Sequence, residues 1–571
     1  MWRPRAGVAT MSDNTLPAGI IPFQRDSMIR RLEEDEFDVL VVGGGITGAG
    51  VALDAASRGL RTALVERDDF ASGTSSKSSK LVHGGIRYLQ QGEINLVYQA
   101  LRERQRLRRN APHLVTVLPF MIPILTRDGL IPRSVARALG SAMWMYDLTG
   151  GWRIGRLHRR LRKEAALAHM PTMPSDRLAS AYLYYDAAAD DARLVLSVAR
   201  TAASLGAAVA SRTSLVGVVK DDRGHVTGAQ VDVGGRDVMV RARTIVNAAG
   251  VWADDVRALD EHEHPDSIRP AKGVHLTVPW EKVRNDIAVV IPVPGDKRSL
   301  FVVPSEPLPD GTFRYTYVGT TDTDHDGSLD DPQCSGDDID YVLRALNAAI
   351  TTTVTRDDVI GVWAGLRPLV KSARSGRTAD LSRHHRVHTS DSGVITITGG
   401  KLTTYRAMAE DTVDEVLRHL GRKSRCRTTR LRLAGAPSST LSRASEPRPG
   451  STDAHLVGRF GTEAAAVRAL VDEHASLGEP LVPGLPYLRA EAVYAVRNEM
   501  ATTLDDVLTR RTRARLLDRA ASVAAAPAVA DLLATELGWS PDERDRQVAD
   551  FLQRCAVEDR SALDRAAAVS R

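Results

Sequence analysis

The segment DVLVVGGGITGAGVALDAASRGLRTALVE, residues 38–66, predicts a strand, a glycine turn, a helix and a second strand, in that order. The apolar run VLVV is typical of a buried parallel strand, and Gly43, Gly45 and Gly48 follow it in GxGxxG spacing. Such glycines let a pyrophosphate approach the N-terminus of the helix, and an acid after the second strand, here Glu66, accepts ribose hydroxyls. An acid at this position predicts an unphosphorylated ribose, and therefore NAD or FAD as the cofactor.

A loop of hydroxyls and lysines, SGTSSKSSK (residues 72–80), comes directly after this acid. An NAD enzyme would usually continue into another strand–helix unit at this point, so the loop favours FAD. Its short side chains are suited to donating hydrogen bonds along a pyrophosphate and a flavin edge. The cofactor-binding residues predicted in this loop are Thr74, Ser75, Ser76, Ser78, Ser79 and Lys80.

A second strand–turn–helix unit, GVITITGGKLTTYRAMAEDTVDEVLRHL, spans residues 393–420. Its double glycine, Gly399-Gly400, precedes a helix whose backbone N–H groups and positive dipole end would face the flavin and stabilise negative charge there. Lys401 stands at the same helix start. A third segment, ARTIVNAAGVWADD, predicts a buried strand that ends near Gly250. The three segments together predict one FAD-binding domain that is split in sequence.

The composition is that of an ordinary globular protein of 571 residues, enough for roughly two to four domains. The formal net charge of +5 is too small to indicate nucleic-acid binding by itself. Three widely separated cysteines without a CxxC pair predict a reducing compartment. No apolar run approaches the roughly eighteen residues of a membrane-spanning helix, and the first residues lack the apolar core of a secretory signal. We therefore expect a cytoplasmic protein with a flexible N-terminal extension.

With these elements in place, the chain resembles the flavin-dependent glycerol-3-phosphate dehydrogenases of the D-amino-acid-oxidase-like flavoprotein superfamily over roughly residues 36–520. The motifs that carry the resemblance are GGGITGAG, TSSKSSKLVHGGIRYL, DDARLVL, NAAGVW, KGVHLTV, VGTTDTD, AGLRPL and GGKLTTYR. The resemblance implies an α/β fold with a Rossmann-like FAD-binding domain split in sequence, an antiparallel-sheet substrate (cap) domain and a helical C-terminal domain.

The same resemblance implies oxidation of sn-glycerol 3-phosphate to dihydroxyacetone phosphate, as in glycerol catabolism. Hydride would pass to FAD and electrons to a membrane quinone, with the protein peripheral on the cytoplasmic face of the membrane. Two alternatives stay open: an oxygen-dependent glycerol-3-phosphate oxidase, and a flavin-binding regulatory protein without turnover. The oligomeric state also stays open, with a homodimer as one alternative.

The expected domain division follows these motifs and the shifts in composition along the chain. The predicted segments are an N-terminal extension (1–35), three parts of the FAD-binding domain (36–110, 241–256 and 393–433), a mixed cap and FAD region (111–240), the substrate or cap domain (257–392), a Pro/Ser-rich linker (434–453) and the helical C-terminal domain (454–571).

The segment KGVHLTVPW, which begins at residue 272, alternates apolar and polar side chains, as in a strand with one polar face. An antiparallel sheet of such strands would form a roof over the flavin. His275 lies on the polar face and, by its match to the family motif, is the first candidate for the general base. His83 is the second candidate.

A dianionic substrate phosphate requires arginine forks rather than generic positive charge. By resemblance, the phosphate ligands are Arg367, Arg383 and Lys401. The residues that would orient the glycerol hydroxyls are Arg87, Tyr88 and Thr320. Asp322 is expected to position a hydroxyl or a histidine. Further FAD contacts are assigned to His83, Gly84, Lys401, Leu402 and Thr403.

Three charged segments complete the expectations. The basic and aromatic segment 133–163 is predicted to bind an anionic membrane surface, at about 1 kcal/mol per charge, with a solvated helix face as the alternative. The arginine cluster 510–515 is predicted to be a solvated face. The acidic loop 322–333 begins with the spacing of an EF-hand but ends in Gln333 and follows a strand, so no metal site is predicted.

Overall fold

The computed structural model describes residues 23–86, 93–125, 133–296, 298–371, 385–437 and 447–563. The strands in these ranges are β1 (Glu36–Phe37), β2 (Val39–Val42), β3 (Thr62–Val65), β4 (Leu81–Val82), β5 (Val115–Leu125), β6 (Arg159–Arg162), β7 (Leu178–Ala189), β8 (Ala208–Ala210), β9 (Ser214–Lys220), β10 (Val226–Asp232), β11 (Asp237–Ala242), β12 (Ile245–Asn247), β13 (Ile268–Pro279), β14 (Ala288–Pro292), β15 (Ser299–Pro307), β16 (Phe313–Gly319), β17 (Thr323–Asp324), β18 (Gly361–Val370), β19 (Arg386–Thr389) and β20 (Ile395–Thr398). The helices are α1 (Arg25–Glu34), α2 (Ile46–Ser57), α3 (Ile94–Asn110), α4 (Arg133–Thr149), α5 (Lys163–His169), α6 (Asp191–Ser204), α7 (Ala253–Glu261), α8 (Gly336–Ala349), α9 (Tyr405–His419), α10 (Thr452–Phe460), α11 (Ala464–Glu473), α12 (Arg489–Glu499), α13 (Ala514–Leu517), α14 (Arg519–Leu537) and α15 (Pro541–Leu563).

The first predicted segment forms the centre of a six-stranded sheet with the order β19-β20-β12-β2-β3-β8. Neighbouring strands are parallel except for the β19–β20 hairpin. Every residue of β2 and β3 is buried, and α2 packs against α6 and α9. The sheet thus joins strands from the beginning, middle and end of the chain, as a Rossmann-like domain split in sequence requires. β19 lies in the range expected for the substrate domain, but its hairpin with β20 places it in this sheet.

A larger sheet has the strand order β17-β13-β16-β15-β14-β5-β7-β4, with β18 also paired to β13 and β6 to β7. Its neighbours are antiparallel except for β5 and β14. The predicted alternation along β13 is confirmed: Val274, Leu276 and Val278 are fully buried and pack in one core with Ile339 and Val342 of α8. His275 and Thr277 lie on the opposite face of β13, and Thr277 Oγ1 donates to the carbonyl oxygen of Leu516 in the C-terminal region (2.8 Å).

The prediction of a flexible N-terminal extension over residues 1–35 is wrong for residues 25–34. α1 is a regular helix whose Met28, Ile29 and Leu32 are buried, and it packs against β8 and β11. The Arg31 guanidinium also donates a hydrogen bond to the carbonyl oxygen of Gly206 (2.9 Å). The apolar residues of α1 recur at helical spacing, which explains why this segment packs onto the domain. A four-stranded sheet of order β1-β11-β10-β9 adjoins this helix.

Helices α10–α15 form the helical C-terminal region, as predicted. In the part of the chain that the structure describes, one helix, α14, is long and apolar enough to span a membrane by length and composition, with a mean hydropathy of 1.3. A third of that window is buried, because Ala526, Val529 and Leu533 pack in a core with Phe551 of α15. Such a helix is weak evidence for a span, since core helices of globular domains meet the same criteria.

The predicted solvated face at residues 510–515 is wrong. Arg510 and Arg511 are only 7% and 2% exposed, because both guanidinium groups bind the carboxylate of Asp69 in the FAD-binding domain.

Candidate active site

A cavity of about 1080 Å³ lies between the carboxyl ends of the parallel strands and the polar face of the large sheet. Its wall contains Gly43, Glu66, Ala248 and Gly399, which follow β2, β3, β12 and β20. Open α/β sheets bind their ligands at this edge. The cavity is therefore the candidate active site.

The glycine turn after β2 leaves room for a phosphate group. Gly43 has a φ of 109°, and a Cβ added there would lie 2.7 Å from the carbonyl oxygen of Ala248. A Cβ at Gly48 would overlap the carbonyl oxygen of Gly43, so α2 can start this close to β2 only with glycine. α2 begins after Gly45 without a side-chain cap. Gly45, Ile46 and Thr47 line the cavity, so a pyrophosphate can approach the positive end of α2, where Ser75 Oγ already binds the N–H of Ile46.

Glu66 is placed as a ribose-binding acid requires. Its carboxylate accepts hydrogen bonds from the backbone N–H of Gly44 (2.6 Å) and of Asp68 (2.8 Å). Burial raises the pKa of Glu66 to about 7, and the nearby charges of Asp68 and Asp69 add to this effect. A hydroxyl donor at this carboxylate would favour its charged form, which fits a dinucleotide ribose.

The first hydroxyls of the loop at 72–80 lie at the cavity, although two already have protein partners. Thr74 and Ser75 line the cavity. Ser75 Oγ accepts a hydrogen bond from the N–H of Ile46 (3.0 Å) at the start of α2, and Thr74 Oγ1 donates to the carbonyl oxygen of Leu366 (2.5 Å) in β18. The loop therefore joins the two sheets as well as lining the site.

In the last part of the loop, Ser78 and Lys80 bind Asp191, while Ser78 and Ser79 also line the cavity. Lys80 Nζ lies 2.9 Å from the carboxylate of Asp191 and 2.8 Å from the carbonyl oxygen of Ser76. Ser78 Oγ donates to the same carboxylate (2.7 Å). Lys80 is 3% exposed, and neither it nor Ser76 belongs to the cavity wall. The side chains of Lys80 and Ser76 therefore lie outside the candidate FAD site, in which the sequence predicted them.

The two glycine-containing anchors meet at the cavity. The N–H of His83 donates to Thr403 Oγ1 (3.3 Å), and that hydroxyl donates back to the carbonyl oxygen of His83 (3.4 Å). Gly399, Gly400, Lys401, Leu402 and Thr403 all line the cavity, as does Gly250.

Gly84 differs from its prediction, because it does not line the cavity. Its N–H donates to Tyr146 Oη and to Asp186 Oδ1, at 3.2 Å each. A Cβ at Gly84 would overlap Leu101. This glycine permits close packing against α3 and α4 behind the site.

His275 lies in the cavity wall and is held on two sides. Its Nε2 is 2.8 Å from Ser79 Oγ, and its ring stacks on Trp363 with centroids 4.8 Å apart and planes 8° from parallel. Burial and then the positive charges of Arg367 and Lys80 lower its pKa well below the ordinary value. The ring is therefore neutral at physiological pH, the form that a general base must have, although the same burial and charges disfavour the protonated ring.

His83 also lines the cavity, and its ring meets the edge of Phe301 at a centroid distance of 5.9 Å. Burial lowers its pKa to about 4, with Asp186 opposing the shift and Lys401 adding to it. Both histidines are thus neutral, so protonation state does not distinguish the two base candidates.

The predicted phosphate end is built around Arg367. Its guanidinium donates to Asp322 Oδ1 (3.1 Å), to Thr320 Oγ1 (2.9 Å) and to the carbonyl oxygen of Thr321 (3.1 Å). Asp322 therefore positions an arginine, where the sequence suggested a hydroxyl or a histidine. Thr320, expected at the glycerol hydroxyls, holds the same arginine. All of these side chains line the cavity.

The predicted ligands Arg87, Tyr88 and Arg383 lie outside the described residues. Several described residues at the site escaped sequence reasoning. Asp191 occurs in the motif DDARLVL, and Trp363 precedes AGLRPL, but nothing in one sequence shows that they bind the hydroxyl loop and the histidine. Phe301 and Tyr184 line the cavity from β15 and β7, where their alternation with other apolar residues hides them.

Comparison with known proteins agrees with this geometry. The family model described as FAD dependent oxidoreductase matches residues 38–406, and that of the C-terminal domain of alpha-glycerophosphate oxidase matches residues 426–544. Glycerol-3-phosphate dehydrogenase 2 of Mycobacterium tuberculosis is 38% identical over 551 residues, which cover 95% of this chain and 92% of the relative. The mitochondrial glycerol-3-phosphate dehydrogenase of Mus musculus is 38% identical, over 92% of this chain and 74% of its own length.

A solved structure gives the same result. The glycerol-3-phosphate dehydrogenase from Bacillus halodurans, crystallised in complex with FAD, is 30% identical with a TM-score of 0.74, covering 95% of this chain and 98% of its own. The glycine turn, the ribose acid and the second glycine anchor define an FAD-dependent oxidoreductase. Within that class, the chain belongs to the FAD-dependent glycerol-3-phosphate dehydrogenase family.

Proposed function

We propose that this enzyme oxidises sn-glycerol 3-phosphate to dihydroxyacetone phosphate. The observation that carries the proposal is the position of Arg367, which lies in the wall of the FAD-binding cavity and close enough to His275 to lower its pKa. A guanidinium fork suits a dianionic phosphate. A neutral imidazole beside it suits removal of a proton from the adjoining carbinol.

The glycine turn after β2 and Glu66 would hold FAD, which would supply the hydride-accepting chemistry for oxidation at C2. The other steps belong to side chains of this chain. Arg367 and Lys401 bind the phosphate, with Arg383 as a further candidate ligand. The Gly399-Gly400 turn lines the cavity, where its backbone N–H groups would stabilise developing negative charge.

His275 takes the proton of the C2 hydroxyl in this proposal. In the tautomer whose Nε2–H donates to Ser79 Oγ, the lone pair of Nδ1 receives the proton; Nδ1 is buried and has no hydrogen-bond partner within the described ranges. Stacking on Trp363 fixes the plane of the ring. His83 remains the second candidate for the base.

We propose a membrane quinone as the electron acceptor, because one surface of the protein is suited to a membrane. This surface, called the apolar–basic surface below, consists of the exposed side chains Ile94, Tyr98, Trp144, Met145, Leu148, Trp152 and Leu157, with the arginines between 153 and 162. Leu148 is 77% exposed and Trp144 57%. Large apolar side chains rarely stand together in water unless they meet a partner or a membrane.

The charges of this surface reinforce the argument. The Arg153 guanidinium lies 5.2 Å from the ring centroids of both Tyr98 and Trp152. These contacts connect α3 to the turn after α4. Arg159, Arg160 and Arg162 on β6 are exposed beside it. Each such charge contributes about 1 kcal/mol at an anionic membrane.

The apolar–basic surface is one helix away from the cavity. Trp144 and Leu148 of α4 face outward, whereas Tyr146 of the same helix is buried and accepts a hydrogen bond from the N–H of Gly84. Gly84 follows His83, which lines the cavity. A quinone in the membrane would therefore approach the flavin over a short path, with the protein on the cytoplasmic face.

Vesicle co-sedimentation tests the surface. With vesicles of phosphatidylglycerol and phosphatidylcholine at low salt, we expect release of a variant in which Trp144, Leu148 and Trp152 are changed to serine. Neutralising Arg159, Arg160, Arg162 and Lys163 should have the same effect. Changing Val216 and Met239, two exposed apolar residues of the four-stranded sheet, to serine is the matched control and should leave binding intact. Unaltered co-sedimentation of the first two variants would place the contact elsewhere.

Turnover assays test the reaction and its acceptor. With a water-soluble quinone under argon, the enzyme should convert glycerol 3-phosphate to dihydroxyacetone phosphate with one quinone reduced per product. In air without quinone, product formation should be slow. Rapid formation of one hydrogen peroxide per product would instead establish the oxygen-dependent oxidase.

A further inference from the structure

The C-terminal region binds the loop that carries the ribose acid. Arg511 forms a two-pronged ion pair with Asp69, with distances of 2.6 Å and 2.7 Å to the two carboxylate oxygens. Arg510 Nε lies 2.5 Å from the same carboxylate and its NH2 group 2.6 Å from Asp506 Oδ1. Asp69 has no exposed surface.

Asp69 lies three residues after Glu66, in a loop packed tightly against the glycine turn. The N–H of Ala71 donates to the carbonyl oxygen of Gly44 (3.2 Å). A Cβ added to Gly44 would lie 2.7 Å from the Glu66 side chain and 2.9 Å from the ring of Phe70. A shift of Asp69 would therefore move both Glu66 and the turn that faces the pyrophosphate.

The same C-terminal segment, residues 505–519, also contacts the sheet on the other side of the cavity. The carbonyl oxygen of Leu516 accepts a hydrogen bond from Thr277 Oγ1 (2.8 Å) on β13, and the N–H of Arg519 donates to Ile360 (3.1 Å) next to β18. Arg212, which follows β8, binds Asp506 (2.7 Å). The segment thus connects the ribose loop to the substrate sheet.

The charges of Arg510 and Arg511 stabilise the ionised form of Asp69. Burial alone would raise the pKa of Asp69, but the charges of Arg511 and Arg510 outweigh burial and hold its pKa below the ordinary value. The carboxylate is therefore ionised inside the protein and depends on both guanidinium groups. A buried carboxylate that loses such a partner must find water, which only movement of its loop can provide.

We propose that the segment 505–519 holds the loop 66–72 in its FAD-binding conformation, so that Arg511 is a positioning residue for the cofactor and the C-terminal region takes part in FAD retention. The proposal rests on FAD as the cofactor, but it does not depend on the identity of the substrate or of the electron acceptor.

The test measures release of FAD from the purified holoenzyme in the absence of substrate, by the rise in flavin fluorescence. Arg511→Lys keeps the charge but removes the fork, and we expect release about tenfold faster than in the wild type. Arg200→Lys is the matched control. Arg200 of α6 forms an equally buried fork with Glu463 of the C-terminal region (2.6 Å and 2.8 Å) but does not contact the loop. Its rate should change by less than about twofold.

Thermal unfolding of each apoprotein shows whether the two substitutions cost similar stability. Equal acceleration of FAD release in R511K and R200K would overturn the proposal, because general loosening between the domains would then explain both. A wild-type release rate in R511K would also overturn it. Should R511K yield no folded holoenzyme, R510K carries the test: release about threefold faster or more supports the proposal, and a wild-type rate refutes it.

Discussion

Truncation of Arg367 to alanine should separate phosphate recognition from every other property of the enzyme. The guanidinium is already aligned before substrate arrives, because Asp322, Thr320 and the carbonyl oxygen of Thr321 hold it. Its side chain is 25% exposed, and that exposed part faces the cavity. The guanidinium is therefore held at the cavity wall, within reach of an incoming phosphate.

The expected loss of kcat/KM follows from burial of the charge pair that Arg367 forms with the substrate phosphate. Removing one partner of a desolvated, hydrogen-bonded charge pair costs about 2–5 kcal/mol. At 1.36 kcal/mol for each factor of ten, kcat/KM for glycerol 3-phosphate should fall roughly thirtyfold to several thousandfold. Arg367→Lys should recover only part of the loss, since a point charge cannot reproduce a bidentate fork.

The assay compares glycerol 3-phosphate with plain glycerol, which has no phosphate to lose. Turnover of glycerol, already poor, should barely change in Arg367→Ala. Arg269→Ala is the matched control, because Arg269 of β13 pairs with Asp324 of β17 through two hydrogen bonds but is not in the cavity wall. Equal losses on both substrates would refute the reasoning and show that Arg367 supports the fold or the flavin.

Three further predictions follow from individual side chains. His275→Ala should lower kcat about 10²–10⁴-fold with FAD content unchanged, and a variant within a few-fold of the wild type would move the base to His83. The pKa of Glu66 is raised from 4.5 to about 7, so the free energy of unfolding of the apoprotein should fall as pH rises through that window. FAD affinity should instead weaken, up to about tenfold per pH unit, as pH falls below 7 and the carboxylate is protonated. Glu66→Gln should abolish both pH dependences, measured by urea and FAD titrations. Lys80→Met leaves Asp191 buried without its cation, and urea unfolding should show a loss of about 3–5 kcal/mol.

The cofactor half of the site could be predicted from sequence because its chemistry is local. A glycine turn between a strand and a helix, followed by an acid after the next strand, fixes the phosphate and ribose positions within about thirty residues. The alternation along β13 likewise placed His275 on the cavity side. The period of two shows that His275 shares a face with Thr277, and the apolar residues on the other face indicate which side of β13 meets the core.

Contacts between distant segments could not be predicted, since one sequence contains no record of them. The sequence predicts Lys80 as a cofactor ligand, but its ammonium group binds Asp191. Arg510 and Arg511 looked solvated because their partner, Asp69, precedes them by more than 400 residues. In α4, the helical period could have shown that Trp144 and Tyr146 face opposite ways, but not which of the two faces outward.

Anaerobic titration with glycerol 3-phosphate tests the central claim most directly. If Arg367, His275 and the FAD-binding turn form one oxidising site, the substrate should bleach the oxidised flavin absorption without any added acceptor, and dihydroxyacetone phosphate should appear in an amount equal to the flavin reduced. A fully loaded enzyme whose flavin absorption stays unchanged at saturating glycerol 3-phosphate would contradict the account.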